Sequence, residues 1–410
     1  MMRTHDLIPR IPTVLFFDHT AKLGGAEIAL FHVLQHLDKQ KFEPVAVLGE
    51  TGALAEKLRE SGIETHILAL DASVNQARKD SLGARSLLKF RAVGKTLTYC
   101  IRLSRFIKSR RIDLIHTNSL KADIIGGVCS RLTGVPVVWH VHDRIDADYL
   151  PKTVARLFRL LCRIIPDFVV ANSIATLKSI RLPYSSPSAV VYEGVLARDA
   201  AQKNNHVGGI VGLVGRLTRW KGQHVFLEAA AQVRQQFPKT KFQIIGSAMF
   251  GEESYEQEIC ALSRSLGLED CVEFTGFRND VPRLVDKLDI LVHASTTGEP
   301  FGQVITEGML AAKPVIATRG GGVPEIVQHG TTGLLVPMGD ADAMAEAICA
   351  LLSNPKLARA MGKAGRKRAL QHFIVEKTVP RLEAIFQRVL LGKSGQSASR
   401  DAIEQETLSH

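Results

Sequence analysis

The chain has 410 residues, 45% of them apolar and 23% charged, which is too long for one ordinary core and too apolar for a disordered protein. Its six cysteines (Cys100, Cys129, Cys162, Cys260, Cys271 and Cys349) form no C-x-x-C pair, which argues against a disulfide scaffold and for reduced, mostly buried thiols in a cytosolic setting. The net charge of +11 is uneven: residues 1–205 hold 29 Lys and Arg against 19 Asp and Glu, and the remainder holds 23 against 22.

In chain order, "MMRTHDLIPRIPTVLFFD" has too short an apolar run for a signal peptide, and no later stretch has the roughly 18–20 apolar residues of a membrane span. "TVLFFD" (13–18) predicts a buried strand. A loop through Gly24 and Gly25 follows, then helical "AEIALFHVLQHL". "FEPVAVLGE", "ETHILAL", "IDLIHTNS" (112–119) and "PVVWHVHD" (136–143) predict further strands, the last two separated by helical "KADIIGGVCSRL". This alternation of strand and helix argues for a parallel sheet covered on both faces.

The rhythm restarts at "GGIVGLVG" (208–215), with helical "HVFLEAAAQVRQQF" next. Strands are expected at 242–247, 272–277, 289–295, 313–318 and 333–337. The reading is therefore α/β, with two doubly wound Rossmann-like domains. The expected limits are an N-terminal domain at 1–195, a polar linker at 196–206 and a C-terminal domain at 207–370. A C-terminal helix at 371–392 would pack back on the N-terminal domain, and 393–410 would be a disordered tail. In such sheets ligands bind at the carboxyl ends of the strands, so the chemistry to look for follows each strand.

After the strand ending at Gly215 comes "GRLTRWKG", which places Arg216 and Lys221 on a loop entering a helix. Two cations at a helix N-terminus suit a diphosphate, although ordinary surface cations would read the same way. The stretch is neither a Walker A loop nor a G-x-G-x-x-G turn, which disfavours a P-loop ATPase and a dehydrogenase. "GEPFGQVITEG" (298–308) places Glu299 and Glu307 around a Pro-Phe-Gly turn. Pro300 disfavours helix at Glu299, so the helix is expected to start near Gly302. Carboxylates repel phosphate but accept hydroxyl hydrogen bonds, as sugar recognition requires. The plainer alternative for Glu307 is a favourable charge near a helix N-terminus.

Together "GEPFGQVITEGMLAAKPVIATRGGGVPEIV", "TGLLVPMGD", "GGAE" (24–27), "IHTNS" (115–119), "HVHD" (140–143) and "ANS" (171–173) resemble the retaining GT-B glycosyltransferases of family 4, over roughly residues 12–390. The resemblance implies a GT-B fold with two Rossmann-like domains facing a central cleft. It implies that Arg216 and Lys221 neutralise a nucleotide diphosphate, that Glu307 holds the ribose and Glu299 the donor sugar. Gly302, Gln303 and Val304 would offer backbone groups to sugar and phosphate. Arg278, in "GFRND", would line the base pocket, and Gly24 and Gly25 would close over the donor. His142 would touch the sugar near its reacting carbon, with His140 behind it. The pair could instead be structural, or an H-x-H metal site, for which no third ligand stands out. Family members often read N-G-V where this chain has Glu193-Gly194-Val195, which puts any role of that asparagine in doubt.

The implied reaction is retaining transfer from a UDP- or GDP-sugar to a glycan or lipid-linked acceptor, with no metal and no other cofactor. Bacterial cell-surface polysaccharide or lipopolysaccharide synthesis is the expected setting. The competing readings are a sugar-nucleotide epimerase or hydrolase of the same architecture, and an inactive paralogue serving as a membrane-surface module. Residues 78–111 carry eleven Lys and Arg against Asp80 alone, and "PKTVARLFRLLCRIIPD" (151–167) spaces Arg156, Arg159 and Arg163 helically among apolar residues. Both stretches predict an anionic membrane surface as partner, with the protein cytoplasmic and peripheral on the inner face of the plasma membrane. Without interleaved aromatics for stacking, nucleic acid is not expected.

Overall fold

The computed structural model describes residues 10–71, 86–146, 150–199, 209–249 and 251–393. The chain divides into two compact units. The first comprises Met1–Asn172, Leu177–Val191 and Thr378–His410, and the second Ser173–Thr176 and Tyr192–Lys377. Of the expected linker, residues 200–206 lie outside the described residues, as do 394–410 of the expected tail and 78–85 of the basic stretch.

The first unit runs β1 (Thr13–Asp18), α1 (Gly25–His36), β2 (Glu43–Leu48), α2 (Ala53–Glu60), β3 (Glu64–Ile67), α3 (Ser86–Ser109), β4 (Leu114–Thr117), α4 (Leu120–Thr133), β5 (Val137–Val141), α5 (Lys152–Ile164), β6 (Phe168–Ala171), α6 (Ile174–Ile180) and β7 (Ser188–Val190). Its seven strands are parallel in the order β3-β2-β1-β4-β5-β6-β7. All six residues of β1 are buried, as a strand covered on both faces requires. Leu15 and Phe17 join one core with Leu103 of α3, Ile125 of α4 and Phe158 of α5. Phe16 points the other way and meets Phe386 edge-on, as does Phe42. β6 and β7 are not among the expected strands: β6 is only the four buried residues "FVVA" running into "ANS", and "SAV" is half-buried with no apolar run.

The second unit runs β8 (Ile210–Val214), α7 (Gln223–Gln236), β9 (Lys241–Ile245), α8 (Glu253–Ser265), β10 (Val272–Phe274), α9 (Val281–Lys287), β11 (Ile290–His293), α10 (Gln303–Leu310), β12 (Val315–Thr318), α11 (Val323–Ile326), β13 (Leu334–Val336), α12 (Ala341–Ser353) and α13 (Pro355–His372). Six parallel strands take the order β10-β9-β8-β11-β12-β13. One face packs on α7 and α12 through Phe226, Val233 and Ile348; the other packs on α10 through Ile305 and Met309. The last helix, α14 (Val375–Lys393), carries Phe386 and falls from Thr378 onward in the first unit. Among the described residues no helix is long and apolar enough to cross a membrane.

In both sheets the strand order reverses direction once, between β1 and β4 and again between β8 and β11. Loops leaving such a pair diverge to opposite sides, and the crevice they leave is where doubly wound sheets hold ligands.

Candidate functional site

In the second unit the loops after β8 and β11 meet. A single turn of 3-10 helix, Arg219–Lys221, follows β8 and ends at Gly222. Gly222 has φ +72°, and a Cβ there would lie 2.0 Å from the Ala294 carbonyl oxygen, so only glycine lets this turn pass the end of β11. The turn aims Lys221 at Glu299: Nζ donates to Oε1 at 2.8 Å and to Oε2 at 2.9 Å. The ammonium also lies 4.4 Å from the centroid of the Trp220 ring.

Glu299 is 9% exposed. Besides Lys221, its Oε2 accepts from Ser295 Oγ at 2.8 Å and lies 3.2 Å from His293 Nε2. Thr318 Oγ1, at the end of β12, lies 3.4 Å from His293 Nδ1 and donates to the Ser295 carbonyl at 2.8 Å. The Glu299 backbone is pinned from behind, since Gly322 N–H donates to its carbonyl at 2.8 Å. Gly321 (φ +60°) passes so close that a Cβ would sit 1.9 Å from that oxygen. Burial alone would raise the Glu299 pKa, but the Lys221 charge and the His293 contact outweigh it and hold the carboxyl well below the usual range. Glu299 is thus a fixed carboxylate. A carboxylate offers about four acceptor positions, so with Oε2 crowded by three donors, Oε1 is the oxygen with room for a ligand hydroxyl.

Gly302 precedes α10 with no side chain capping the first turn, and Gln303 and Val304 open the helix half-buried. That leaves the amide end of α10 as an anion-facing surface. Glu307, one turn in, is also half-buried. Burial pushes its pKa up to about 7, against a smaller opposing pull from Arg198. Arg216 is half-buried on the loop after β8, and its carbonyl accepts from Gln223 Nε2 at 2.8 Å. Arg278 is exposed and forms a bidentate pair with Asp280, at 2.8 and 2.9 Å. Neighbouring Phe277 is 65% exposed.

The first unit has a counterpart after β1 and β4. Asn118 Nδ2 donates to Asp18 Oδ2 at 2.9 Å and Ser119 Oγ to Oδ1 at 2.9 Å, with His19 Nδ1 3.1 Å from Oδ1. Burial pushes the Asp18 pKa up, but these partners win and leave it lowered. Gly24 caps α1, and a Cβ on it would come within 2.5 Å of Glu27 Oε2. Burial, then the nearby charge of Asp18, push the Glu27 pKa up to about 8. His142, 7% exposed, follows β5. Its ring lies 4.1 Å from that of His140, whose Nδ1 lies 3.2 Å from His116 Nε2. Burial first, then His142, push His116 down to about 3, so this ring is neutral.

The structure therefore brings Lys221 and Glu299 into contact and places Gly302, Gln303, Val304 and Glu307 on the helix that follows. Gly24, Gly25 and His142 belong to the first unit. Sequence reasoning overlooked His293 and Ser295, which fix Glu299, and Asp18, Asn118 and Glu27. A signal existed: each is a polar residue at or just beyond a strand end, or in the first turn after the glycine loop. Among the described residues no group of three or more His, Cys, Asp or Glu is placed to hold a metal ion.

Comparison with known proteins bears on both units. A family model described as Glycosyltransferase Family 4 matches residues 23–197, and one described as Glycosyl transferases group 1 matches residues 198–368. The chain is 35% identical over 166 residues to EpsD of Bacillus subtilis (strain 168), named a glycosyltransferase, covering 40% of this chain and 42% of that protein. It is 32% identical over 163 residues to WcaL of Escherichia coli (strain K12), named a glycosyltransferase of colanic acid biosynthesis, covering 38% and 39%. These matches span less than half the length of either curated relative. Among solved structures, Anabaena HepE in complex with UDP-glucose superposes with a TM-score of 0.79 at 27% identity, over 92% of this chain and 99% of that one.

Proposed function

The chain belongs to the GT-B glycosyltransferases of family 4, glycosyl transferases group 1, and we propose that it moves a sugar, with retention of configuration, from a UDP- or GDP-sugar to a glycan or lipid-linked acceptor. The setting we propose is bacterial cell-surface polysaccharide or lipopolysaccharide synthesis, at the cytoplasmic face of the plasma membrane. The observation that carries the reading is the Lys221–Glu299 pair at the crevice of the second sheet, with Arg216 on the same loop as Lys221 and α10 beginning four residues after Glu299. It combines cations for a diphosphate with a fixed carboxylate for a sugar hydroxyl. The UDP-glucose complex of HepE favours uridine as the base, and the name of WcaL favours a polysaccharide acceptor.

In the proposed reaction the acceptor hydroxyl oxygen attacks the anomeric carbon as the bond from that carbon to the diphosphate oxygen breaks. The diphosphate leaves with the bonding electrons, and the hydroxyl proton passes to one of its oxygens on the same face. Arg216 and the third N–H of Lys221 stabilise the charge that builds on the leaving group. Fixed cations and helix amides do this work with no metal or other cofactor. Glu299 Oε1 accepts one sugar hydroxyl, Glu307 the ribose hydroxyls, and Arg278 borders the base. Holding donor and acceptor in register supplies the rest. In the first unit we assign Gly24 and Gly25 to backbone contact with phosphate, and His142 to a sugar contact.

Incubation with a panel of UDP- and GDP-sugars and lipid-linked or oligosaccharide acceptors tests the reading. Nucleoside diphosphate release should require an acceptor, and the product's anomeric coupling should match the donor's. Equal donor consumption without acceptor would instead identify a hydrolase or epimerase.

A further inference from the structure

Helices α3, α4 and α5 all pack inward on the same face of the first sheet, through Leu103 and Ile107, Ile125 and Cys129, and Phe158 and Cys162. Together they form its outer layer there. Across α4 and α5, Arg131 of α4 donates to the carbonyls of Ile164 and Ile165. These three helices carry twelve Lys and Arg and one acid, Asp123, which is fully buried. The helices of the opposite layer mix their charges, with Glu56 and Glu60 beside Lys57 and Arg59 on α2, and Glu383 among Arg381, Arg388 and Lys393 of α14.

The outward side is also apolar. Leu97 and Ile101 on α3, Leu132 on α4, and Leu157, Leu160 and Ile164 on α5 are each 42–57% exposed. Arg102, Arg105, Lys108, Arg131, Arg156 and Arg163 stand exposed among them. Arg159 does not share this role: it turns inward to the carbonyls of Ile145 and Ser179. Isolated exposed leucines are ordinary, but a basic layer whose one acid is buried, with exposed aliphatics spaced i, i+3, i+7 along α5, is not.

We propose that the outer face of α3, α4 and α5 is a docking surface for an anionic lipid bilayer. Its arginines and lysines meet the headgroups, and Leu157, Leu160 and Ile164 enter the acyl boundary. This extends the two basic stretches of the sequence to one surface that includes α4, and it does not depend on which sugar is transferred. Charge complementarity selects the bilayer: a protein partner would need an unusually acidic face, and the helices present no exposed aromatic ring for stacking bases among the described side chains.

Flotation of the full chain with vesicles of phosphatidylcholine, with and without 30 mol% phosphatidylglycerol, tests this. Binding should require phosphatidylglycerol and fall at least tenfold from 50 to 500 mM NaCl. R156E/R163E should weaken it at least tenfold, and L157S/L160S at least threefold at constant charge. K57E/R59E on the opposite layer should leave it unchanged, and unfolding curves verify that each variant is folded. Equal binding to neutral vesicles, no binding, insensitivity to R156E/R163E or L157S/L160S in folded protein, or equally tight binding of duplex DNA would each overturn the proposal.

Discussion

Lys221 Nζ bonds both carboxylate oxygens of Glu299, at 2.8 and 2.9 Å, from a loop 78 residues away in sequence. One residue leaves β8 and the other leaves β11, the two strands at which the second sheet reverses its order. The first sheet repeats the arrangement with neutral donors, where Asn118 after β4 bonds Asp18 at the end of β1. In each unit the crevice of the sheet is stitched by a buried carboxylate and a donor from the neighbouring loop.

Glu299 is buried and depends on Lys221 for its charge. Removing one partner of such a pair strands the other, whereas removing both does not. K221A should therefore lower stability by about 3 kcal/mol, and K221M/E299L by clearly less, in denaturant titrations at pH 7. The wild-type pair stabilises the fold fully above the ordinary glutamate range and loses that contribution as pH falls below it, because its folded pKa is depressed. The acid limb of the stability curve should flatten in K221M/E299L.

Glu307 has the opposite shift. With its pKa pushed up to about 7, it is partly protonated at neutral pH in the free protein. Hydroxyl donors from a ribose favour the ionised form, so nucleotide binding at pH 7 should release roughly half a proton. Calorimetry in buffers of different ionisation enthalpy measures this directly. The release should vanish in Glu307→Gln, and an unchanged release there would remove Glu307 from the nucleotide site.

Gly222 combines φ +72° with a Cβ position 2.0 Å from a carbonyl oxygen. Neither strain can be relieved by a side-chain rotation. G222A should cost roughly 2–4 kcal/mol, and the surviving folded protein should bind nucleotide more weakly because the turn that aims Lys221 has moved. A thermal melt within a degree of wild type would contradict this.

Glu27, raised to about 8 by burial and Asp18, binds its proton more tightly folded than unfolded. Its contribution therefore makes stability fall as pH rises from the ordinary glutamate range towards 8. Glu27→Gln should be nearly neutral in the ordinary glutamate range, should become stabilising as pH rises towards 8 and should reduce that downward slope, as read from denaturant midpoints between about pH 4.5 and 8.5.

Much of this was legible in the sequence. The apolar runs of β1, β4, β5, β8 and β11 are continuous because both faces of each sheet are covered, so they stood out without alternation. Pro300 and Gly302 marked the start of α10 to within a residue. The pairing of Lys221 with Glu299 was not legible: the two were assigned to phosphate and sugar separately, and only the strand order brings their loops together. His293 and Ser295 were hidden for a related reason. Within "DILVHAS" they look like strand residues, and their role appears only when Glu299 folds back over the strand end. β7 escaped because an edge strand of three half-buried residues has no apolar period.

The central claim is that the second unit holds a nucleoside diphosphate through Arg216 and Lys221. Isothermal calorimetry with UDP, GDP and their sugars on the wild type and on Arg216→Ala tests it most directly. Binding should be clear for the wild type and weakened on the order of a hundredfold in Arg216→Ala, a loss of about 2.7 kcal/mol, with the variant's melting temperature unchanged. No binding of UDP, GDP or their sugars by the wild type, or equal binding by Arg216→Ala, would contradict the account.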